Sequence, residues 1–436
     1  MIPSPSVSGE LFTVVSFAPV QGFISASRKL RDLYGSSLLL SYLARAIVRD
    51  ATSRLGKDKN EDAVISPASV KASRGTPNLL VIRGDYKRGH GRQALLNAWS
   101  GVLQACRNWL EEEIRLEDFP YDWATSWHQE SSHAWEYFHA QGPSIEAARK
   151  AMAIAKGRRG WSGVNWTGES STLSGSGAIC RPSMARVIDP RHLEDAKMRE
   201  ETKAFVDALR NRLGDAFAGE GEEMNLQELV KRLVTYNAIA SDAFRGEDLA
   251  MVLPQRFGDI AESRVSCWFM ADGDQVGKHL EALSKNGSAG ESAALRRFSE
   301  SMRNWAGSLY DGIPEQMQQK ATVIYAGGDD LLGVLHSSPG DADHLTPKDL
   351  FTWIEKVFPE IWQENDQARE AAHPLTVSMG LVWAAKTVPQ REALAHAREA
   401  EARAKHLGRN RFALRLLYPG GQHLEWSCRA DVLPGP

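Results

Sequence analysis

Apolar residues recur along this chain with two periods, and the alternation between them sketches two similar halves. Near the N-terminus Leu11–Phe17 reads as a strand. A turn through Pro19 leads into a helix over about Gln21–Asp50, with Phe23, Ile24, Leu30, Leu38, Leu39 and Leu43 as its core face. Strands follow at Ala63–Val70 and Asn78–Gly84, then a helix near Arg92–Arg115. That helix repeats Leu95, Leu96, Trp99, Val102, Leu103, Cys106 and Leu110 at helical spacing. The order β-α-β-β-α suggests an α/β sandwich of the ferredoxin type.

The stretch Lys156–Ala178 is rich in Gly and Ser and reads as a loop or linker. Two helices follow near His192–Leu213 and Leu226–Ala240, parted by Gly219–Glu223. From Arg264 a second series begins: strand Arg264–Ala271, helix Ala293–Tyr310, hairpin Ala321–Ala326 with Leu331–Leu335, helix Leu350–Asn365, strand Thr376–Val382, helix Arg391–His406 and strand Arg411–Leu417. The expected fold class is α/β in the α+β sense, with two ferredoxin-like domains and a mainly helical segment between them. The boundaries predicted are 1–155 for the first domain, 156–258 for the loop and helices, 259–420 for the second domain and 421–436 for a tail.

Composition narrows the class without naming a function. A formal net charge of −3 gives the whole chain no electrostatic footprint for nucleic acid, so any such contact must be local. Arg28, Lys29 and Arg31, and Lys156, Arg158 and Arg159, are the local basic groups, each reading first as a solvated face. Trp161 and Trp166 in the Gly/Ser-rich loop could stack bases or a partner protein. No apolar run reaches membrane-span length and no leader is evident, so a cytoplasmic chain with no membrane partner is expected. The four cysteines, Cys106, Cys180, Cys267 and Cys428, form no CxxC pair and read as small buried hydrophobes.

Candidate chemistry concentrates in the second half. Gly327-Gly328-Asp329-Asp330 sits between two apolar strands, where the glycines allow a tight turn and close ligand approach. Taken alone, that tetrapeptide is equally a solvated hairpin. Asp272-Gly273-Asp274 ends another strand and runs through Gln275-Val276-Gly277-Lys278 into a helix, which places backbone N–H groups beside carboxylates. In a ferredoxin-like sheet those strands are neighbours, so Asp272 and Asp329 would face each other closely enough to share divalent cations. A third element, Ala397–Asn410, carries a small-residue stripe of Ala393, Ala397, Ala400, Ala404 and Leu407, a stop at Gly408, and Lys405 and Arg409 near its end.

Asp272-x-Asp274, Gly327–Asp330, Val377-Ser378-Met379-Gly380 and Ala404-Lys405-x-x-Gly408-Arg409-Asn410 occur in the order of nucleotide cyclases of the GGDEF type. The Asp-Asp ending, with ADGDQVGK before it, resembles the CRISPR polymerase, the large subunit of type III RNA-guided effector complexes, particularly the Cmr branch. Phe17–Ile24, Ser27–Ser37 and Pro77–Leu80 are similar to the opening of that family's first palm domain.

The resemblance implies a Mg²⁺- or Mn²⁺-dependent nucleotidyltransferase that uses ATP to make a cyclic oligoadenylate or a related AMP-containing messenger. It also implies partners: the other complex subunits, and guide and target RNA indirectly through them. Asp272, Asp329 and Asp330 would be catalytic, with Asp274 added as a fourth metal ligand. Gly327, Gly328, Lys278, Ser378, Lys405 and Arg409 would bind the nucleotide, and Ser36 and Ser37 would wall an acceptor site in the first palm, which has no Gly-Gly-Asp-Asp of its own. The rival readings are a non-catalytic scaffold subunit of such a complex and a diguanylate-cyclase-like enzyme.

Departures from the family pattern shape further expectations. No His-Asp dipeptide occurs, so no HD nuclease activity is expected. The stretch Ser171–Arg181 holds only Cys180, so no zinc is expected. The family's C-terminal helical domain is not evident before Pro436.

Overall fold

The computed structural model describes residues 10–56, 63–68, 75–166, 168–184, 195–245, 263–284, 287–337, 344–363 and 375–432. Its first half runs β1 (Phe12–Ala18), α1 (Gln21–Ser25), α2 (Leu30–Leu55), β2 (Val64–Ser66), β3 (Leu79–Arg83), α3 (Arg88–Glu113), α4 (Ala124–His133), β4 (Glu136–Gly142) and α5 (Ile145–Gly157). The sheet order is β2-β3-β1-β4 with antiparallel neighbours, the ferredoxin-like arrangement. One face buries Val15, Phe17, Leu80 and Ile82 in the core that holds Leu39, Trp99 and Val102 of α2 and α3. The other buries Phe12, Val14, Val81 and Phe138 with Ile145, Ala148 and Met152 of α5. Burial of both faces is why β1 reads as a nearly continuous apolar run.

The structure departs from the sequence reading in four places. The helix predicted over Gln21–Asp50 is two helices. The Asp32 carboxylate accepts the backbone N–H groups of Arg28 (2.9 Å) and Lys29 (2.8 Å) and so starts a fresh helix at Leu30. The helix predicted over Leu226–Ala240 is also divided, into α7 (Leu226–Leu233) and α8 (Asn237–Ala243), where the Thr235 hydroxyl caps the Arg232 carbonyl at 2.7 Å. Residues 116–155, unassigned from sequence, supply α4, β4 and α5. The stretch 421–436, expected as a tail, contains strand β10 (His423–Arg429). Parts of the predicted elements at 69–70, 192–194 and 364–365, and the predicted boundary at 258–259, lie outside the described residues.

The segment between the halves adds α6 (Asp195–Leu213) ahead of α7 and α8. Phe205, Leu209, Phe217, Leu229, Val230 and Phe244 from this segment join the α2–α3 core, so the helices pack as an extension of the first half.

The second half runs β5 (Val265–Gly273), α9 (Val276–Ser284), α10 (Gly287–Gln316), β6 (Ala321–Gly327) and β7 (Asp330–Leu335). It continues with α11 (Pro347–Thr352), a π-helical turn (Trp353–Val357), α12 (Phe358–Gln363), β8 (Val377–Ala385), α13 (Gln390–His406), β9 (Arg411–Leu417) and β10. Sheet order is β10-β9-β8-β5-β7-β6, so β8-β5-β7-β6 repeats the arrangement of the first half and β9 adds in parallel to β8. The halves meet through α2: Leu30 and Leu33 share a core with Trp268, Ile324 and Leu332, and the Tyr34 hydroxyl donates to the Val323 carbonyl at 2.9 Å. Among the described residues no helix is long and apolar enough to cross a membrane.

Helix α13 lies unusually close to β8 because its facing positions, Ala393, Ala397, Ala400 and Ala404, are small and buried. A Cβ at Gly380 would stand 2.2 Å from the Ala397 carbonyl oxygen and 2.3 Å from the Glu401 nitrogen, and backbone cannot swing aside. Gly380→Ala is expected to destabilise the second half by about 1–3 kcal/mol, the range for overpacking. Gly312→Ala, where a Cβ meets nothing, is expected to be neutral or stabilising. Urea denaturation compares the pair, and equal midpoints would refute the close approach.

Candidate active site

Strand parity builds the site. In β5, Cys267, Phe269 and Ala271 enter the core beneath α10, while Trp268 and Met270 pack on the opposite face, the one that α13 and α2 cover. Asp272 follows on that opposite face, at the strand's end. In β7, Leu332 and Val334 share the face and Asp330 precedes them. Ala271 pairs with Leu331 and Gly327 with Asp330, so the register sets Asp272 beside the Gly-Gly-Asp-Asp turn. Carboxylate oxygens of Asp272, Asp329 and Asp330 all lie within 4.8 Å of one another.

The two glycines are needed for different reasons. Gly328 turns the hairpin at φ 70°, the left-handed region. A Cβ at Gly327 would strike the Tyr325 hydroxyl at 2.3 Å and the Gly75 carbonyl at 2.8 Å, so the first half presses directly on the hairpin.

Electrostatics of the cluster are unbalanced. Lys405, in the last turn of α13, is ion-paired with both Asp272 and Glu401. Partial burial works against its charge, but these partners raise its pKa. This one ammonium does not offset three carboxylates. Loss of solvent and then the neighbouring Asp272 push Asp329 up to about 6. Asp330 is also raised, by loss of solvent and by Asp272 and Asp329. Its side chain is exposed at the surface, so the crowding of like charges is the cause that carries the shift. An all-oxygen set with uncompensated negative charge fits a hard divalent cation such as Mg²⁺ or Mn²⁺.

The remaining predicted residues separate into those near the cluster and those committed elsewhere. Asp274, predicted as a fourth metal ligand, is turned away. Its buried carboxylate accepts from the Ser378 hydroxyl, the Thr376 hydroxyl and the Asn410 backbone N–H, each at 2.8 Å. Ser378, predicted to touch nucleotide, is buried and spends its hydroxyl on that same clamp. Together they tie the end of β5 to β8 and to the turn Gly408–Asn410, whose residues all have positive φ. Arg409 is carried by that turn, half exposed, with Nε 4.0 Å from Asp274. Lys278 is exposed and donates to Gln275 Oε1 at 3.3 Å.

Ser36, predicted to wall an acceptor site, is buried and donates to the Asp32 carbonyl at 2.6 Å within α2; Ser37 is buried beside it. The first half instead presents Gly75 and Tyr34 to β6, and sequence reading missed both. Glu401 was missed too, although its spacing of four from Lys405 was a usable signal.

The raised carboxylate makes a prediction with a definite sign. Asp329 binds a proton more tightly folded than unfolded, so stability without cation falls as pH rises from about 4 through about 6. A divalent cation removes that repulsion only where the carboxylates are ionised. Millimolar Mg²⁺ or Mn²⁺ should therefore raise the melting temperature clearly at about pH 7.5 and little at about pH 5. Thermal melts at the two values check it, and equal shifts would count against the cluster as the binding site.

Comparisons with known proteins agree with this architecture. Residues 266–413 match the family described as Cas10/Cmr2, second palm domain, and residues 12–79 match the CRISPR-associated protein Cmr2 N-terminal family. No curated protein gives a significant match. Among solved structures, a type III-B Cmr-beta structure in its apo state, from cryo-electron microscopy, is 10% identical, with 93% of this chain and 69% of that chain covered and a TM-score of 0.56; it supports the fold alone. A Csm1–Csm4 cassette in complex with one ATP is 14% identical over 92% of this chain and 54% of that one, with a TM-score of 0.46. The same cassette in complex with cA4 is 14% identical, with 92% and 54% covered and a TM-score of 0.45. The chain thus spans about half the length of the Csm1–Csm4 chains it matches.

Proposed function

Because the chain belongs to the Cas10/Cmr2 family, we propose that it is the palm-bearing large subunit of a type III CRISPR effector complex and transfers AMP from ATP to an acceptor hydroxyl, with pyrophosphate leaving. The observation that carries this reading is the convergence of Asp272, Asp329 and Asp330 at the hairpin against which the first palm is pressed. The product is a cyclic oligoadenylate or a related AMP-containing messenger. The partners are the other subunits of the complex, with guide and target RNA reached through them.

Asp272, Asp329 and Asp330 would hold Mg²⁺ or Mn²⁺, which when bound lowers the pKa of an attacking ribose hydroxyl and neutralises charge on the α-phosphate. Lys405 keeps Asp272 oriented through their ion pair and is placed to exchange that partner for a phosphate. Gly328, where an added Cβ meets nothing, leaves the turn open to a nucleotide, whereas the missing side chain of Gly327 makes room for Tyr325 and Gly75. Asp274 holds the Gly408–Asn410 turn and so presents Arg409, while exposed Lys278 meets the phosphates from the start of α9.

The test incubates the chain, alone and in its assembled complex, with a divalent cation and each nucleoside triphosphate, and identifies products by mass spectrometry. An AMP-containing product from ATP alone is expected. The absence of any nucleotide product in every combination would sink the enzymatic reading and leave a scaffold.

A further inference from the structure

A second site stands apart from the acid cluster, beside β4, an edge strand of the first sheet among the described residues. A cavity of about 790 Å³ opens beside the edge strand β4, and every residue lining it lies between Arg88 and Trp161, none in the second palm. That volume is within the roughly 300–1,000 Å³ usual for small-ligand pockets. Its charge is one-sided. Arg88, Arg92 and Arg158 line it, are exposed, and make no ion pair among the described residues. Its one acid, Glu136, is already bound by Arg159 at 2.8 Å.

Unpartnered donors line the same cavity. Trp135 and Tyr137 are only 4% and 5% exposed, and Trp135 Nε1 and the Tyr137 hydroxyl have no hydrogen-bond partner. The indole N–H of Trp161 is likewise buried without one. Trp135 packs its ring on Phe17, Phe23 and Trp99, and the Tyr137 hydroxyl lies against Gly91. The half-buried Trp161 is therefore the aromatic offered to a ligand, and its indole can only donate. Ala151, Ala155 and the exposed Ile154 add an apolar wall from α5.

Anion, acceptors and a flat apolar face together describe a nucleotide. We propose that this cavity binds a nucleotide unit of single-stranded RNA, its phosphates on Arg88, Arg92 and Arg158 and its base against Trp161. The site does not depend on the catalytic reading of the acid cluster. Free nucleotides share the chemistry, and the strand is favoured because Arg88 and Arg92, one helical turn apart on α3, and Arg158, just after α5, offer several separate sites for phosphate.

The test measures fluorescence anisotropy of a labelled single-stranded oligoribonucleotide with the full chain in EDTA, which silences the metal-dependent site. The triple substitution Arg88→Ala, Arg92→Ala, Arg158→Ala should flatten the slope of log affinity against log salt by about 2, at roughly 0.7 for each phosphate no longer neutralised. Trp161→Ala should weaken binding about tenfold. Competition by AMP equal to that by the oligonucleotide would assign the nucleotide site to a free nucleotide. Unchanged affinity and salt slope in both variants, with melting temperatures intact, would overturn the proposal. So would no RNA or AMP binding by the unaltered chain, which would leave β4's edge to a protein strand.

Discussion

Replacing Asp329 and Asp330 together by alanine is expected to remove nucleotide product while making the protein more stable near neutral pH. The loss should be at least on the order of a hundredfold, the scale of deleting preorganised charge from a reacting centre. The gain in stability follows from the raised carboxylate. Asp329 is held near 6 by lost solvent and by Asp272, so its ionised form is strained in the fold, and removing it relieves that repulsion. Inactivity with a higher melting temperature cannot be blamed on misfolding. The melting shift caused by Mg²⁺ or Mn²⁺ should vanish in the same variant. Asp274→Asn should keep that shift, because Asp274 binds Ser378, Thr376 and Asn410 and stands outside the cluster. Product formed at an unchanged rate by the double variant would end the assignment of this hairpin to catalysis.

What sequence alone could reveal depended on how strongly each residue's role marks the chain. Strands β5, β6, β7 and β9 were legible because their apolar runs are bounded by turn residues, and Asp272, Asp329 and Asp330 were legible because they end those runs. Strand β10 was missed. It pairs with β9 along its whole length, and Leu424, Trp426 and Cys428 do alternate with His423, Glu425, Ser427 and Arg429, a period-2 signal that was overlooked. Both Leu424 and Trp426 are exposed, so the strand adds nothing to the core pattern. Strand β4 hid because its sequence, EYFHAQG, mixes polar and apolar residues although much of it is buried. Asp274, expected as a metal ligand from the resemblance, leaves the strand before it can share the face of Asp272. Residues two apart share a strand face, but β5 ends at Gly273, and the Asp274 N–H turns to the Thr376 carbonyl at 2.7 Å. Ser36 misled because a hydroxyl suits a ligand in sequence but bonds its own helix once buried.

Arg232→Ala is expected to cost about 3–5 kcal/mol, the scale of leaving a buried charge without its partner. Arg232 is fully buried and holds Asp32 with two bonds, Nε to Oδ1 at 2.8 Å and Nη2 to Oδ2 at 2.9 Å. Its Nη1 donates to Glu222 at 2.7 Å and to the Phe217 carbonyl at 2.6 Å. The pair joins α7 to the start of α2, the helix whose Tyr34 reaches β6. Burial works against ionised Asp32, but Arg232 and the N–H groups of Lys29 and Arg28 hold its pKa below the usual range. Its contribution in the unaltered chain is therefore complete above about pH 4 and is lost as pH falls through the lowered folded value. Without Arg232 the sign reverses. Burial then raises both carboxylates, so the variant gains stability as pH falls and they become neutral. The penalty should be largest at about pH 8 and smaller at about pH 5. Adding Asp32→Ala to Arg232→Ala should cost much less than the sum of the two single changes, because the buried charge leaves with its partner. Urea denaturation at both pH values reads these differences, and a pH-independent penalty under about 1 kcal/mol would mean that the pair does not hold α2 in place.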